Sequence, residues 1–332
     1  MNTNETPPDL EERFKEPVGW RWHNFKSNGR TMRFGTCTPN HDKAPDAVVV
    51  CLQGVREFSE KYFEIARWCN ENNITFWTFD WAGQGKSTRY LENTQKRHGG
   101  DFDLDVEDLH CLILEYVKHS SVHTDKGRIP LAMLAHSMGA NIGMRYIHKY
   151  PDTFECAAFT APMIGLKVFE KTPSIIADIA TSLCGSVLGN SYIPGGGNWG
   201  ESKRHPRLTS DPIRKLIHDQ WLECNEDLQV GEVTYGWLRE AQKSCSTIQN
   251  KSFTSGIKPP CLFGIPGNED LVDNIIAKKV IDTIDKSQIV EYPTSFHEIL
   301  MESDDTRDDF LDKFYNLIKE NIIDRPETLK PF

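Results

Sequence analysis

A serine, a histidine and a group of carboxylates in this sequence have the types and chain order that acyl-transfer chemistry needs. Ser137 stands in Ala135-His136-Ser137-Met138-Gly139. There an apolar run, "IPLAMLA" (129–135), stops and an apolar-periodic run, "MGANIGMRYIHKY" (138–150), begins. A chain that turns straight from a strand into a helix crowds the corner residue. Small neighbours two positions either side let the backbones pass. The corner residue is driven to positive φ, and its side chain stands clear at the helix N-terminus. The pattern G-x-S-x-G marks such nucleophile elbows. Here Ala135 takes the place of the first glycine and Gly139 keeps the second. A serine hydroxyl is a poor nucleophile until a base takes its proton. A histidine and an orienting carboxylate are therefore required, in the chain order Ser, Asp or Glu, His.

The histidine search is short. His297, in "EYPTSFHEILME" (291–302), follows the last apolar strand-like run and is the only histidine after residue 218. His136 adjoins the serine but points away from an elbow corner, and it reads as packing beneath the turn. The carboxylate is expected after "PPCLFGIPG" (259–267), where Glu269, Asp270 and Asp273 are candidates. Aspartate is the commoner triad acid, which favours Asp270. An oxyanion hole needs two backbone N–H groups. Met138, directly after the nucleophile, is one. Val55, in "QGVREF" (53–58), is the other, with Gly54 permitting the tight turn. "DWAGQGKS" (80–87) is glycine-rich after a strand, but no helix opens on it with Walker or dinucleotide spacing, so no phosphate cradle is expected.

These residues must be held by something. "WRWHNFKSNGRTMRFGTC" (20–37) predicts two strands joined at Asn28-Gly29. "AVVVCLQG", "ITFWTFD", "IPLAMLA", "CAAFTAPM" and "PPCLFGIPG" are continuous apolar runs of strand length, as for strands buried on both faces. Helical spacing fills residues 59–73, 106–119 and 138–150 between them. The alternation predicts an α/β fold, with a mostly parallel sheet and helices on both faces. It lapses between about 164 and 250 and then returns. The expected organisation is a core of residues 1–163 and 251–332 carrying an insertion, 164–250.

Composition bounds the rest. The chain has 332 residues, 38% apolar and 26% charged, with a net charge of −10. That is a globular composition. It lacks the basic footprint of nucleic-acid binding and any polybasic patch for anionic membranes. Nine scattered cysteines form no C-x-x-C pair, so neither a metal site nor a redox motif is suggested. Cys51, Cys111 and Cys261 sit in apolar runs and read as small buried hydrophobes. The polar first 17 residues read as a loose lead-in with no signal-peptide core, and no run is long enough to span a membrane. A cytoplasmic location is expected.

The chain also resembles a known family, the lysophospholipase and monoacylglycerol-lipase branch of the α/β-hydrolases, a serine aminopeptidase-like group. "LQGVREFSEKYFEIARW", "FDWAGQGKSTR", "HGGDFDLDVEDL", "LAHSMGAN", "YGWLREA", "GNEDLVDN" and "HEILME" carry the resemblance, over residues 20–320. It implies an α/β-hydrolase fold with 164–250 as an inserted helical cap. It implies hydrolysis of a carboxylic ester, with neither cofactor nor metal. Ungapped register with the family's acid loop favours Glu269 over Asp270. Two departures stand out: Gln53-Gly54 where the family usually has His-Gly, and Ala135 where it usually has glycine.

In the cap, "PSIIADIATSLCGSVLG" (173–189) has apolar residues at 175, 176, 179, 180, 183 and 187, a helical stripe. That stripe either packs on the core, or lines an acyl-chain tunnel or touches lipid. "IPGGGNWGES" (193–202) reads as a surface loop or a gate. The expected substrate is a lysophospholipid or monoacylglycerol. The rivals are a small-ester esterase or aminopeptidase on the same scaffold, and a non-catalytic ligand-binding relative.

Overall fold

The computed structural model describes residues 5–39, 43–123, 127–170, 172, 174–204 and 206–325. Its centre is an eight-stranded sheet. The strands are β1 (Arg21–Ser27), β2 (Arg30–Cys37), β3 (Ala47–Leu52), β4 (Ile74–Phe79), β5 (Leu131–His136), β6 (Cys156–Thr160), β7 (Cys261–Pro266) and β8 (Ser287–Tyr292). Their spatial order is β1-β2-β4-β3-β5-β6-β7-β8. Only β2 runs against its neighbours, joined to β1 by the Asn28-Gly29 turn at positive φ. Strands β3 to β8 are parallel where they pair.

Every residue of β3, β4, β5, β6 and β7 is buried, which is why those runs are apolar without alternation. Side chains nevertheless alternate between two cores. Val48, Val50 and Leu52 of β3 face one, and Ala47, Val49 and Cys51 the other. Helices α2 (Phe102–Leu112), α3 (Met138–Lys149), α6 (Tyr235–Ile248) and α7 (Asn274–Ile281) close the first. Helices α1 (Phe63–Glu71), α5 (Arg214–Cys224) and α8 (Asp304–Ile318) close the second.

Some expectations need correcting. The lead-in is not loose throughout. A short 3-10 turn, Glu12–Phe14, buries Phe14, and Leu10 joins it in the same core as Trp221 of α5. Helix α2 starts at Phe102, capped by the Asp101 side chain on the Asp103 N–H, earlier than the apolar spacing suggests. Cys111 is only half-buried.

Between β6 and β7 the chain forms α4 (Ser174–Leu188), α5 and α6. Helix α6 places Trp237, Ala241, Cys245 and Ile248 in the main core, and α5 places Ile217, Trp221 and Leu222 in the other. Helix α4 differs. Its buried face is made of small residues, Ala177, Thr181 and Gly185, with Gly185 lying against Arg239 of α6. The Ile175 side chain lies outside the described residues, and the described large apolar side chains of the stripe do not pack on the core. Ile176 (56%), Ile179 (56%), Leu183 (65%) and Val187 (81%) are exposed to these extents. The 193–202 loop is tied down by Glu232 N–H to Gly197 O (2.9 Å) and Trp199 N–H to Gln95 Oε1 (2.8 Å).

Candidate active site

Ser137 sits between the last residue of β5 and the first of α3 with φ 52° and ψ −113°. That is a disallowed corner for most residues, held by its surroundings. Its N–H donates to Thr160 O (3.0 Å), and its own carbonyl accepts from the N–H groups of Asn141 (3.1 Å) and Met163 (3.2 Å). Gly139 explains itself. A Cβ there would stand 2.4 Å from Leu52 O and 2.5 Å from Gln53 O, so a side chain would push α3 off the end of β3. Ala135 is fully buried, paired in register with Leu52 and Phe159, and its methyl is accommodated.

The loop after β8 carries His297 to the elbow. His297 Nε2 lies 2.9 Å from Ser137 Oγ and Nδ1 lies 2.7 Å from Glu269 Oε2. Glu269 comes from the loop after β7, and its other oxygen accepts the N–H groups of Leu271 (2.7 Å) and Val272 (3.2 Å). All three side chains are buried. Asp270, the alternative acid, is exposed. Asp273 caps α7 through the N–H groups of Ile275 and Ile276 and takes no part. The carboxylate brought to the histidine is thus Glu269.

Burial alone would raise the Glu269 carboxyl, but the His297 ring and the two backbone N–H groups outweigh it and hold it below the usual range. Burial would lower His297, yet the Glu269 charge and hydrogen bond raise it above 6.5. His136 lies beneath, its ring 4.9 Å from that of His297 and its Nδ1 3.0 Å from Thr160 Oγ1. Burial pushes it down to about 3, so it stays neutral.

The Val55 loop is held from three sides. The Gly54 N–H donates to Glu57, the Gly54 carbonyl accepts from Gln84 Nε2 (2.8 Å), and the Arg56 N–H donates to Gln84 Oε1 (3.0 Å). Between two engaged amides, the Val55 N–H makes no hydrogen bond to a described group. The Met138 N–H opens α3, where first-turn amides have no helical partner. Gln53, in place of histidine, is fully buried. Its Nε2 bonds Ser59 Oγ (3.0 Å), Thr78 Oγ1 (3.2 Å) and Asp80 Oδ1 (3.3 Å).

Sequence reasoning missed a buried ionic cluster under this floor. Lys61 Nζ lies 2.7 Å from Glu57 Oε1 and 2.6 Å from Glu298 Oε1, and Tyr62 OH donates to Glu57 Oε2 (2.6 Å). Glu57, His136 and Glu298 have ligand atoms within 4.8 Å of one another, the spacing of a cation site. The Lys61 ammonium already fills that role between the two carboxylates. The only available signal was the charged density of "VREFSEKYFE", where Glu57, Glu60, Lys61 and Glu64 are all buried.

This strand order, with a positive-φ serine between the fifth strand and the following helix, defines an α/β-hydrolase fold. Within it, the chain belongs to the family described as serine aminopeptidase, S33, whose profile matches residues 43–304. Lysophospholipase L2 of Escherichia coli is 25% identical over 282 residues, covering 79% of this chain and 77% of its own length. Two solved structures share the fold. A soluble variant of monoglyceride lipase from Saccharomyces cerevisiae, bound to a substrate analog, has a TM-score of 0.70 at 18% identity, covering 90% of this chain and 95% of its own. A thermostable carboxyl esterase from Bacillus coagulans, bound to glycerol, has 0.69 at 17% identity, covering 92% and 99%.

Proposed function

We propose that the protein is a serine ester hydrolase acting on single-chain lipid esters, a lysophospholipid or a monoacylglycerol. The hydrogen-bonded chain Ser137–His297–Glu269 carries the reading. Ser137 Oγ attacks the acyl carbonyl while His297 Nε2 takes its proton. Glu269 keeps the Nδ1 proton in place and stabilises the imidazolium. The N–H groups of Val55 and Met138 hold the tetrahedral oxyanion. His297 then protonates the leaving alcohol, leaving an acyl-Ser137 ester. Water, deprotonated by His297, attacks that ester and releases the fatty acid. No step needs a metal or organic cofactor.

The name of the Escherichia coli relative supports the lipid class, as does that of the Saccharomyces cerevisiae structure. The aminopeptidase reading needs a free carboxylate for an α-amine. Four buried carboxylates near the site are engaged: Glu57 and Glu298 by Lys61, Glu269 by His297, and Glu232 by Arg56 (3.6 Å) and Arg204 (3.5 Å). Residues 164–250 act as the cap, with α5 and α6 as its footing. The outward stripe of α4 makes transient contact with lipid. Among the described residues no helix is long and apolar enough to cross a membrane. All nine cysteines are free thiols, which supports a reducing, cytoplasmic compartment.

A long-chain alkyl fluorophosphonate tests the reading. Peptide mapping should find one adduct, on Ser137, and lysophosphatidylcholine should slow its formation. An adduct elsewhere, or no protection by the lipid, would refute it.

Two further outcomes follow. His297 must be neutral to act as base, and its pKa is raised. The acid limb of kcat/KM should therefore have its midpoint above the ordinary imidazole value of 6.5. A midpoint below that value in a pH–rate profile would contradict the Glu269 pairing. Ile179→Ser with Leu183→Ser should raise apparent KM for vesicle-borne lysolipid about tenfold or more, since a buried Leu or Ile side chain is worth about 1.5–3 kcal/mol. Hydrolysis of a dispersed short-chain ester should not change. Equal effects on both substrates would remove the lipid-contact role.

A further inference from the structure

The glycine-rich stretch "DWAGQGKS" lacks the spacing of a phosphate cradle, yet its geometry is specific. Gly83 (φ 91°) and Gly85 (φ 54°) flank Gln84 at positive φ. A Cβ at Gly83 would stand 2.5 Å from His98 O, and one at Gly85 2.1 Å from Asp80 Cγ. The loop is wound as tightly as the chain permits, and it delivers one fully buried amide, Gln84. That amide is saturated. Nε2 donates to Gly54 O (2.8 Å) and Glu57 O (2.8 Å). Oε1 accepts from Arg56 N–H (3.0 Å) and Arg97 Nε (2.9 Å). The partners admit one orientation only, because Arg97 and the Arg56 amide can only donate and the two carbonyls can only accept.

A trans peptide holds its C=O and N–H on opposite sides. Pulling the Gly54 carbonyl toward Gln84 therefore turns the Val55 N–H the other way, away from Gln84. The preceding peptide is pinned as well, its Gln53 carbonyl by Trp81 Nε1 (2.9 Å) and its Gly54 N–H by Glu57.

Arg97 completes the arrangement. It is fully buried, and among the described residues it forms no ion pair. Its guanidinium bonds Gln84, the His98 carbonyl and the Met138 sulfur (Nη2 to Sδ, 3.5 Å). Burying a cation is costly; the Asp105 charge offsets part of that cost without a direct ion pair, and Arg97 touches both sides of the site: the side chain that orients Val55, and the side chain of Met138.

We infer that Gln84, fixed in its orientation by Arg97, is a positioning residue that aims the Val55 N–H at the oxyanion. The inference rests on the oxyanion role proposed for Val55. Gln84→Glu is the sharpest variant. It keeps the shape and the acceptor toward Arg97 and Arg56, and it places a carboxylate directly beside the guanidinium. It also turns the Nε2 donor into an acceptor facing two carbonyls.

Losing one aimed oxyanion donor costs about 10²–10³-fold in kcat. The Gln84→Glu enzyme should lose about that factor in kcat, with KM for a dispersed monoacylglycerol within about threefold. Affinity for a long-chain trifluoromethyl ketone, whose hemiketal oxygen occupies the hole, should fall by the same factor as kcat. Gln84→Asn, which cannot reach the loop, should behave alike, and should either variant fail to fold the other decides. Rates are taken per fluorophosphonate-titrated site, so misfolded enzyme does not count. Unchanged kcat and unchanged ketone affinity would overturn the inference, as would a loss confined to KM. Wild type inactive on every ester would instead overturn the function proposed above.

Discussion

Glu269→Gln is expected to lower kcat by about 10³–10⁴-fold with little change in KM, while Asp270→Asn leaves kcat within about twofold. The two residues are adjacent, but one is buried at 2.7 Å from His297 Nδ1 and the other is exposed. A glutamine would fit the same slot, accepting the Leu271 and Val272 amides through its oxygen. Its NH2 would then face Nδ1, and the imidazole would move its proton to Nε2. A protonated neutral Nε2 cannot take the Ser137 proton. The expected loss is therefore one of tautomer rather than fold, and the denaturation midpoint should stay close to that of the wild type. Steady-state kinetics on both variants decides. A large loss in Asp270→Asn, or a small one in Glu269→Gln, would place the acid elsewhere.

Lys61→Met should destabilise the protein by about 3–5 kcal/mol at neutral pH, the range for removing one partner of a buried ion pair. Lys61 is the cation between Glu57 and Glu298, and all three are buried. Burial would raise Glu57, but Lys61 and the neighbouring His136 bring it down to about 2. Burial raises Glu298, with Lys61 opposing and the Glu57 charge adding to the rise. Without the ammonium both carboxyls face burial and each other. Their folded pKa values then rise above the unfolded value of about 4.3. The folded variant binds more protons than its unfolded chain, so the penalty is present at high pH and shrinks as pH falls toward that value. Urea unfolding of both proteins at pH 8 and pH 5 measures this. A gap that widens on acidification would contradict the assignment. Glu57 also holds the Gly54 amide, so surviving Lys61→Met molecules should lose turnover as well as stability.

What the sequence disclosed and what it hid have physical reasons. β3 to β7 were legible because strands buried on both faces must be apolar throughout. Ser137 was legible because an elbow leaves marks on its neighbours, Ala135 and Gly139. His297 stood out by position. The acid was less plain, because "GNEDLVDN" offers three carboxylates: register with the family favoured Glu269, residue type favoured Asp270, and three-dimensional reach brings Glu269 to His297. Helix α4 was legible only in part. Its periodicity revealed an apolar stripe, but periodicity cannot say which face packs, and here Ala177, Thr181 and Gly185 pack while Ile176, Ile179, Leu183 and Val187 face out. Gln84 and Arg97 carry no spacing signature and meet their partners across loops. Lys61 meets Glu57 four residues away, but its other partner, Glu298, lies 237 residues away.

The measurement that bears most directly on the central claim is a hydrolysis panel run on the wild type and Ser137→Ala. It pairs lysophosphatidylcholine and monoacylglycerols of rising chain length with a short p-nitrophenyl ester and an amino-acid p-nitroanilide. The wild type should turn over the long single-chain lipids, with the rate lost by about 10⁶-fold in Ser137→Ala, and should not cleave the anilide. Turnover of the anilide or the short ester alone, or lipid hydrolysis that survives in Ser137→Ala, would contradict that claim.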